Sequence, residues 1–451
     1  MLEKIIAFSI RQRFFVIVGA LALIALGGYN FKILPIDAVP DVTNIQVQIN
    51  TEAPGFTPLE VEQRITFPIE TILAGMPRLK HTRSVSRYGL SQVTVIFEDG
   101  TDIYFARQLI SSKLQEVKGN LPANMEPAMG PIATGLGEIF MWSVEAEEGY
   151  RKTDGSSYSP TELRTIQDWI IKPQLMNIPG VTEINSIGGY VKNFQVSPNP
   201  QKMIAYGFSF KDVIEALSRN NENIGAGYIE HSGQQYLVRT PGQVSGSEDI
   251  KNIVIGSHQG VPIYIKDVAD VGLGQELRTG AATKNGGEVV LGTVFMLKGE
   301  NSRTVSLRVA EKMKSINQTL PEGVVARTVY DRTHLVNATL KTVRNNLLEG
   351  ALLVIAVLFL LLGNFRAAVI TALVIPLSML FAVTGMVSNR ISGNLLSLGA
   401  IDFGIIVDGA VIIVENCSRC LTEEQKRLGR ILNQQERFEI VQSSACEVSR
   451  P

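Results

Sequence analysis

Three carboxylates within one apolar stretch are the residues of this sequence with the clearest chemical potential. Residues 394–416 are otherwise mostly apolar, but they carry Asp402, Asp408 and Glu415. A carboxylate at the centre of a membrane helix costs roughly 2.5–3.5 kcal/mol on insertion scales. Because Asp402 and Asp408 would both carry this cost within one span, we infer that they have a function.

The spacing of these carboxylates fits proton transfer along a helix. At about 100° per residue, Asp408 and Glu415 lie within about 20° of one face, and Asp402 lies about 120° from Asp408. The reference pKa of Asp is about 3.9, and burial raises it by several units. An Asp in the membrane can therefore bind a proton on one side and release it on the other near neutral pH. We interpret the three residues as a proton relay. In the alternative interpretation the carboxylates have no transport role: the two aspartates form ion pairs with a basic residue elsewhere, and Glu415 is solvated near the end of the helix.

The composition excludes disorder and indicates membrane segments. Hydrophobic residues make up 45% and charged residues 19% of the chain, whereas soluble domains carry about 25% charge. The 42 basic and 43 acidic residues nearly cancel, which gives no electrostatic footprint for nucleic acid. Three cysteines do not make a disulfide framework. Cys417 and Cys420 have CxxC spacing but lack the second pair of a metal site, so we interpret them as non-ligating thiols. The histidines lack metal-like spacing and are also interpreted as non-ligating; they are His81, His231, His258 and His334.

Four apolar segments predict four transmembrane helices, at 14–31, 347–363, 367–387 and 395–414. Each is close to the ~20 residues that span a hydrocarbon core of ~30 Å. Basic residues before the first segment also resemble a secretory signal peptide, but the apolar run exceeds the usual length of about 7–15 residues. We therefore interpret it as an uncleaved helix. The distribution of basic residues near the segment ends places residues 34–340 outside the cell.

The external region contains an internal repeat at an offset of 102 residues. Thr57-Pro-Leu-Glu60 recurs as Ser159-Pro-Thr-Glu162, and both predict a helix start with a capping box and proline in the first turn. Each copy follows the βαββαβ pattern of a ferredoxin-like module. A third unit, at about 181–272, interrupts the second copy. Its glycine-rich part at 225–227 lacks the strand–helix frame of a phosphate site, so we predict short strands and tight turns there.

Several motifs together resemble one transporter family. The chain resembles the N-terminal part of the heavy-metal efflux branch of the resistance-nodulation-division transporters, the cobalt–zinc–cadmium type. The motifs that carry the resemblance lie at 34–41, 54–55, 134–139, 330–333 and 402–416. The resemblance implies a membrane α-helical bundle, with four transmembrane helices here, plus external α+β ferredoxin-like porter subdomains and a docking subdomain.

The resemblance also implies boundaries for these parts. Residues 1–33 would form a cytoplasmic segment and the first membrane helix, and 34–133 the first porter subdomain. The second porter subdomain would be discontinuous, at 134–180 and 273–335, around a docking subdomain at 181–272. Membrane helices two to four would occupy 343–418, and a cytoplasmic amphipathic helix would occupy 419–451.

The function implied by the resemblance is proton-driven efflux of divalent zinc, cobalt or cadmium cations across the Gram-negative envelope. Such a protein is a cation/proton antiporter and not an enzyme; it needs no cofactor, since the metal cation is its substrate. It is a multi-pass inner-membrane protein with a large periplasmic region. It forms homotrimers that join a periplasmic adaptor and an outer-membrane channel.

The resemblance assigns roles to individual residues. Asp402, Asp408 and Glu415 match the proton-relay carboxylates of the family. Glu138, which follows Thr-Gly-Leu-Gly, is the candidate metal ligand; the alternative is an ordinary surface glutamate. Copper and silver members differ in this membrane helix and use methionine ligands, and multidrug members carry Asp-Asp where this chain has Asp408-Gly409.

Two other functions stay open from the sequence. One is a multidrug efflux subunit of the same family, and the other is a non-transporting membrane fragment that serves binding or assembly. Full members of the family have a second half with a further porter–docking region and further membrane helices. We therefore expect these residues to be a partial chain that does not pump alone.

Overall fold

The structure is a computed structural model that describes residues 2–448 except 38–42, 241, 277, 279, 363–364, 390 and 395–402. Its strands are β1 Gln46–Glu52, β2 Leu79–Arg87, β3 Leu90–Phe97, β4 Ala128–Met129, β5 Glu138–Ala146, β6 Val181–Ile187, β7 Lys192–Pro198, β8 Ile224–His231, β9 Gln234–Thr240, β10 Val254–His258, β11 Val261–Tyr264, β12 Ala269–Gln275, β13 Ala282–Lys284, β14 Gly287–Met296 and β15 Val324–Asp331. Its helices are α1 Leu2–Arg11, α2 Arg13–Ile33, α3 Pro58–Val61, α4 Phe67–Leu73, α5 Ile103–Val117, α6 Pro160–Ile166, α7 Lys172–Met176, α8 Pro200–Tyr206, α9 Phe210–Arg219, α10 Ser247–Lys251, α11 Ile265–Val268, α12 Ser302–Asn317, α13 Arg332–Leu362, α14 Phe365–Ala372, α15 Val374–Ser388, α16 Phe403–Leu428 and α17 Gln434–Val448.

The first α/β unit, which precedes the apolar helices α13–α16, contains a four-stranded antiparallel sheet in the order β2-β3-β1-β4. The strand β1 alternates buried and half-buried residues, as expected for a sheet with one covered face. Val47 and Ile49 of β1 form a core with Ile65, Ile69 and Ile110 of the covering helical segments. This arrangement confirms the predicted βαββαβ unit.

The second α/β unit repeats the same strand order. Here β6 pairs with β14, β14 with β5, and β5 with β15, all antiparallel. The predicted capping boxes are confirmed in both units, at Thr57/Glu60 and at Ser159/Glu162. The predicted boundary at residue 181 is wrong, because β6 (Val181–Ile187) belongs to this sheet and not to the insertion. A strand whose partner lies some 110 residues away gives no local signal in the sequence.

The first helical segment of each unit contains one turn of π-helix. These turns are Glu62–Thr66, between α3 and α4, and Gln167–Ile171, between α6 and α7. In each case a proline follows in the next turn, at Pro68 and Pro173. Proline has no N–H, and its ring clashes with the carbonyl of the residue four positions before it. The wider turn accommodates that clash without ending the helical segment.

The insertion in the second unit has its own core and is connected to the rest of the unit through two paired strands. The strands β7 and β12, at its two ends, pair antiparallel over their whole length. Its core includes Met203, Val213, Ile250 and Ile265. The glycine-rich part forms the hairpin β8–β9, with positive φ at Ser232 and Gly233 in the turn. The predicted short strands and tight turn are therefore confirmed.

Two helical stretches among the described residues are long and apolar enough to cross a membrane, Arg13–Ile33 and Ala367–Ser388. The second is formed by α14 and α15, which are separated only by Leu373; this residue itself has a right-handed helical conformation and lies shortly before Pro376. The helices α2 and α15 pack together, and a Cβ at Gly27 would lie only 2.6 Å from Leu380. Such packing favours the interpretation of α2 as an uncleaved helix over that of a cleaved signal peptide. A total of four spans stays a prediction, since residues 395–402 lie outside the described residues.

The helix that contains the second apolar segment begins earlier than predicted. The helix α13 starts at Arg332, directly after β15, whereas the sequence places the membrane region from residue 343. The polar first part of α13 carries no membrane signal, but neither glycine nor proline interrupts it before Gly350. Nothing local therefore ends the helix between the sheet and the apolar segment.

The predicted amphipathic helix at 419–451 is also wrong in its bounds. Its first part continues α16 to Leu428, and a separate helix, α17, begins at Gln434. Gly429 has a φ of 61°, a left-handed conformation that commonly terminates helices. The side chain of Asn433 accepts a hydrogen bond from the backbone N–H of Glu436, and Glu436 accepts one from Asn433 N–H in return.

Substitution of Gly292 is expected to destabilise the second sheet. Trp142 is fully buried, its Nε1 donates a hydrogen bond to Gln167 Oε1, and a Cβ at Gly292 would lie 2.3 Å from the indole ring. We expect Gly292→Ala to lower the free energy of unfolding by about 1–3 kcal/mol, the usual cost of overpacking a core. Urea unfolding in detergent, followed by Trp142 fluorescence in a Trp169→Phe background, measures this. Gly272→Ala is the control, because that Cβ would enter open space; equal midpoints for the two variants would contradict the packing described.

The contacts of Glu436 predict a pH dependence at the start of α17. Two hydrogen bonds from Arg430 and one from Asn433 N–H lower the pKa of Glu436 from 4.5 to about 2. A lowered pKa means that the stabilisation of α17 by this contact is present above pH 4.5 and is lost as the pH falls towards 2. We expect Arg430→Gln to raise the pKa of Glu436. Carboxyl ¹³C NMR titration measures it, with Glu436→Gln to assign the signal and Lys426→Gln as the control. A pKa near 4.5 in the unsubstituted chain would refute the contact.

Candidate functional site

The helix α16 carries two of the three predicted relay carboxylates on one uncovered face. Asp408 and Glu415 are both exposed, and seven residues of α-helix separate them by about 10 Å along the axis. Ile412 lies between them and is 49% exposed. Asp402 lies outside the described residues.

Other faces of α16 contact the neighbouring helices. The helix packs against α14, α15 and α17. Asn416 Nδ2 donates a hydrogen bond to Ser444 O of α17 at 3.0 Å, and Arg419 donates one to Asn416 Oδ1 at 2.8 Å. Cys417 Sγ lies 3.7 Å from Val441 O. The sequence assigned no role to Asn416 beyond its place in the motif, and the structure places it in the contact between α16 and α17.

The candidate metal ligand Glu138 is the first residue of β5 and is half-buried. A short 3-10 turn, Gly135–Gly137, precedes it, and Phe295 of β14 lies opposite in the sheet. Thr134, Leu136 and Gly137 of the same motif line a cavity of about 280 Å³. Asp37, Lys298 and Glu300 line its other side. The motif therefore lies where the second sheet meets the segment that follows α2.

Two motifs that are far apart in sequence meet through an ion pair at this place. Arg332 Nη2 and Nε donate to Asp37 Oδ1 at 2.8 and 3.0 Å, and Arg332 Nη1 donates to Tyr330 Oη at 3.2 Å. Burial opposes the charged form of Arg332, but the hydrogen bonds to Tyr330 and Asp37 outweigh it and raise the pKa of the guanidinium. Sequence reasoning missed this pair; the only signal was that both residues stand in motifs of one resemblance.

A complete metal site is not formed among the residues that the structure describes. In that part of the chain, three or more His, Cys, Asp or Glu side chains do not come together in a way that would hold an ion. His258 packs edge-on against Tyr206, with ring centroids 5.9 Å apart, while His81, His231 and His334 are exposed. Glu138 could therefore supply one ligand but would need others from elsewhere.

Comparisons with known proteins agree with this arrangement. A family model described as the AcrB/AcrD/AcrF family matches residues 5–451. The chain belongs to this family. The family's pumps include the heavy-metal efflux branch that the motifs resemble, so the recognition made from sequence is confirmed.

Relatives within the family cover the whole chain. The cobalt-zinc-cadmium resistance protein CzcA of Cupriavidus metallidurans is 61% identical over 451 residues, which are 100% of this chain and 42% of that protein. The nickel and cobalt resistance protein CnrA of the same organism is 48% identical over 476 residues, covering 100% of this chain and 44% of that protein. The chain thus spans less than half the length of the curated relatives it matches.

A solved structure supports the fold. The crystal structure of a heavy metal efflux pump (crystal form II) superposes with a TM-score of 0.85 at 33% identity, over 99% of this chain and 43% of that chain. The architecture of α/β units joined to membrane-length helices is therefore that of the N-terminal part of such a pump.

Proposed function

We propose that residues 1–451 form the N-terminal part of a proton-driven pump that exports divalent zinc, cobalt or cadmium cations. The observation that carries the proposal is the pair Asp408 and Glu415 on one uncovered face of an otherwise apolar helical stretch. The names of CzcA and CnrA, at 61% and 48% identity, support divalent cations as the substrates. Carboxylate ligands also suit borderline divalent ions better than soft monovalent ones.

The proposed mechanism couples inward proton flow to outward passage of the cation. A proton from the outside binds a carboxylate of the relay (Asp402, Asp408, Glu415), neutralises it in the membrane and leaves on the cytoplasmic side. The protonated and ionised forms differ greatly in their cost of burial. Protonation therefore shifts the packing of α16 against whichever segment covers its exposed face. We place that covering segment in the part of the relatives' length that these 451 residues do not span.

The same proposal extends to location and partners. Four membrane spans would be formed by α2, α13, α14 with α15, and α16, in the inner membrane of a Gram-negative cell. The two sheet units and the insertion would lie in the periplasm as two porter subdomains and a docking subdomain. As a full-length protein it would form homotrimers with a periplasmic adaptor and an outer-membrane channel. The first 451 residues alone would not transport.

Replacement of Asp408 tests the proposed function. A chimera joins residues 1–451 to the remaining C-terminal part of C. metallidurans CzcA and is expressed in that organism without its own CzcA. We expect the chimera to restore growth on zinc, cobalt and cadmium, and Asp408→Asn to abolish it, because an amide does not carry the proton. Growth curves across metal concentrations measure this, and membrane fractions confirm insertion.

The controls separate the competing functions. Glu423→Gln, an exposed carboxylate of the same helix, should leave metal resistance unchanged, and residues 1–451 alone should not restore it. Full resistance in Asp408→Asn would remove the relay role. Drug resistance without metal resistance in the chimera would favour multidrug efflux, and an inserted chimera with neither would overturn transport.

Replacement of Glu138 tests its proposed contact with the metal. Glu138→Gln keeps the size of the side chain but removes its charge. We expect the zinc concentration for half-maximal transport by the chimera in membrane vesicles to rise on the order of tenfold or more. Glu148→Gln, an exposed glutamate after the same strand, is the matched control. An unchanged half-saturating concentration in Glu138→Gln would show that this residue is not a ligand.

A further inference from the structure

A buried ion pair lies at the junction between the external region and the membrane-length helices. The Arg332 side chain is 8% exposed and the Asp37 side chain 22%. Arg332 is the first residue of α13, and Asp37 follows α2 by four residues. Two hydrogen bonds from one guanidinium to one carboxylate oxygen fix the relative position of the two chain segments closely.

A third segment joins at the same point. The backbone N–H of Asp37 donates to Gly393 O at 3.0 Å, and the N–H of Gly393 donates to Pro35 O at 2.8 Å. These bonds form a short parallel bridge between Ile36 and Gly393. A Cβ at Gly393 would lie 2.8 Å from the end of the Leu34 side chain, so a larger residue there would require that buried side chain to shift. The segment after α15 is thereby held to the end of α2.

The second sheet is attached to the same junction from the other side. Asp331, the last residue of β15, accepts hydrogen bonds at 2.8 Å from Thr333 N–H and from Ser306 Oγ of α12. Ser302 Oγ of α12 also donates to Ile36 O at 3.4 Å. In the sheet β15 pairs with β5, the strand that begins with Glu138, and Asp331 lies opposite Phe140. A displacement at the junction therefore reaches the start of β5 through one strand pair.

The energetics indicate that the ion pair contributes more to the relative position of the two chain segments than to the free energy of unfolding. Bringing two charges out of water costs several kcal/mol per ion, and their attraction offsets this only when the geometry is good. Removal of one partner leaves a buried charge without compensation. Arg332 and Asp37 therefore tolerate little relative movement. The helix α13 follows β15 directly at Arg332, and Arg303 of α12 donates a hydrogen bond to Asn337 of α13 at 3.0 Å. The ion pair adds to these contacts the link to the segment after α2.

We propose that Arg332 is a positioning residue of the transport cycle. Through Asp37 it holds α2, α13 and the segment after α15 in register with the second sheet. A shift of the membrane helices then moves β15, and with it β5 and Glu138, instead of being absorbed by a flexible connection. The inference rests on the proposed function for its transport part, but the junction itself is independent of it.

Hydrogen exchange on the 451-residue chain in nanodiscs tests the junction. We expect Arg332→Gln to speed exchange at the amides of Asp37 and Gly393 at least tenfold, because both amides depend on the alignment that the ion pair fixes. The amides of β14 should not change. Arg327→Gln is the matched control, since Arg327 lies on the same β15 and pairs with Glu145 while 56% exposed. Unchanged protection of Asp37 and Gly393 would overturn the proposal.

Transport by the CzcA chimera tests the coupling. We expect Arg332→Gln to lower the maximal rate of zinc transport roughly tenfold and to leave the half-saturating zinc concentration unchanged. Arg332→Lys, which keeps the charge, should recover part of the rate, and Arg327→Gln should keep all of it. A full rate in Arg332→Gln overturns the inference while the proposed function stands. If the unsubstituted chimera does not transport, the proposed function is overturned. In that case hydrogen exchange at Asp37 and Gly393 alone tests whether Arg332 holds the junction together.

Discussion

The contact between the Arg332 guanidinium and the Asp37 carboxylate is the interaction on which the arrangement of this molecule depends. The chain itself joins the sheets to the membrane-length helices after α2 and at the start of α13, and the ion pair lies where these two connections meet. Its burial makes it intolerant of misalignment. Because Gly393 is hydrogen-bonded to the backbone on both sides of Ile36, the pair also determines where the segment after α15 runs.

Much of the external fold follows from local chemistry that can be read in the sequence. The capping boxes at Thr57 and Ser159 form as predicted, since a hydroxyl, a proline and a glutamate at those spacings satisfy the free N–H groups of a helix start. The βαββαβ order and the hairpin of the insertion were predictable for similar reasons. The placement of Asp408 and Glu415 on one helix face required only the geometry of an α-helix.

The features that sequence reasoning missed depend on contacts between distant residues. Arg332 and Asp37 are 295 positions apart, and the whole insertion separates β6 from its partner β14 in the sequence. The start of α13 at Arg332 was not predicted, because the composition of its polar first turns is that of an ordinary surface segment. Among the described residues, the structure assembles no group of three or more potential metal ligands around Glu138, and it leaves Asp408 and Glu415 of α16 exposed. The chemistry of the candidate site therefore stays a proposal.

The position of the insertion has a consequence for how such a protein diversifies. In the first unit, β2 and β3 are joined by the tight turn at Tyr88 and Gly89; in the second, the corresponding strands β6 and β14 are separated by the paired stem of β7 and β12 and the body that it carries. The parent sheet keeps every strand pairing in both cases. Insertions, deletions or replacements within that appendage can therefore change its surface without altering the strand pairings of the parent sheet.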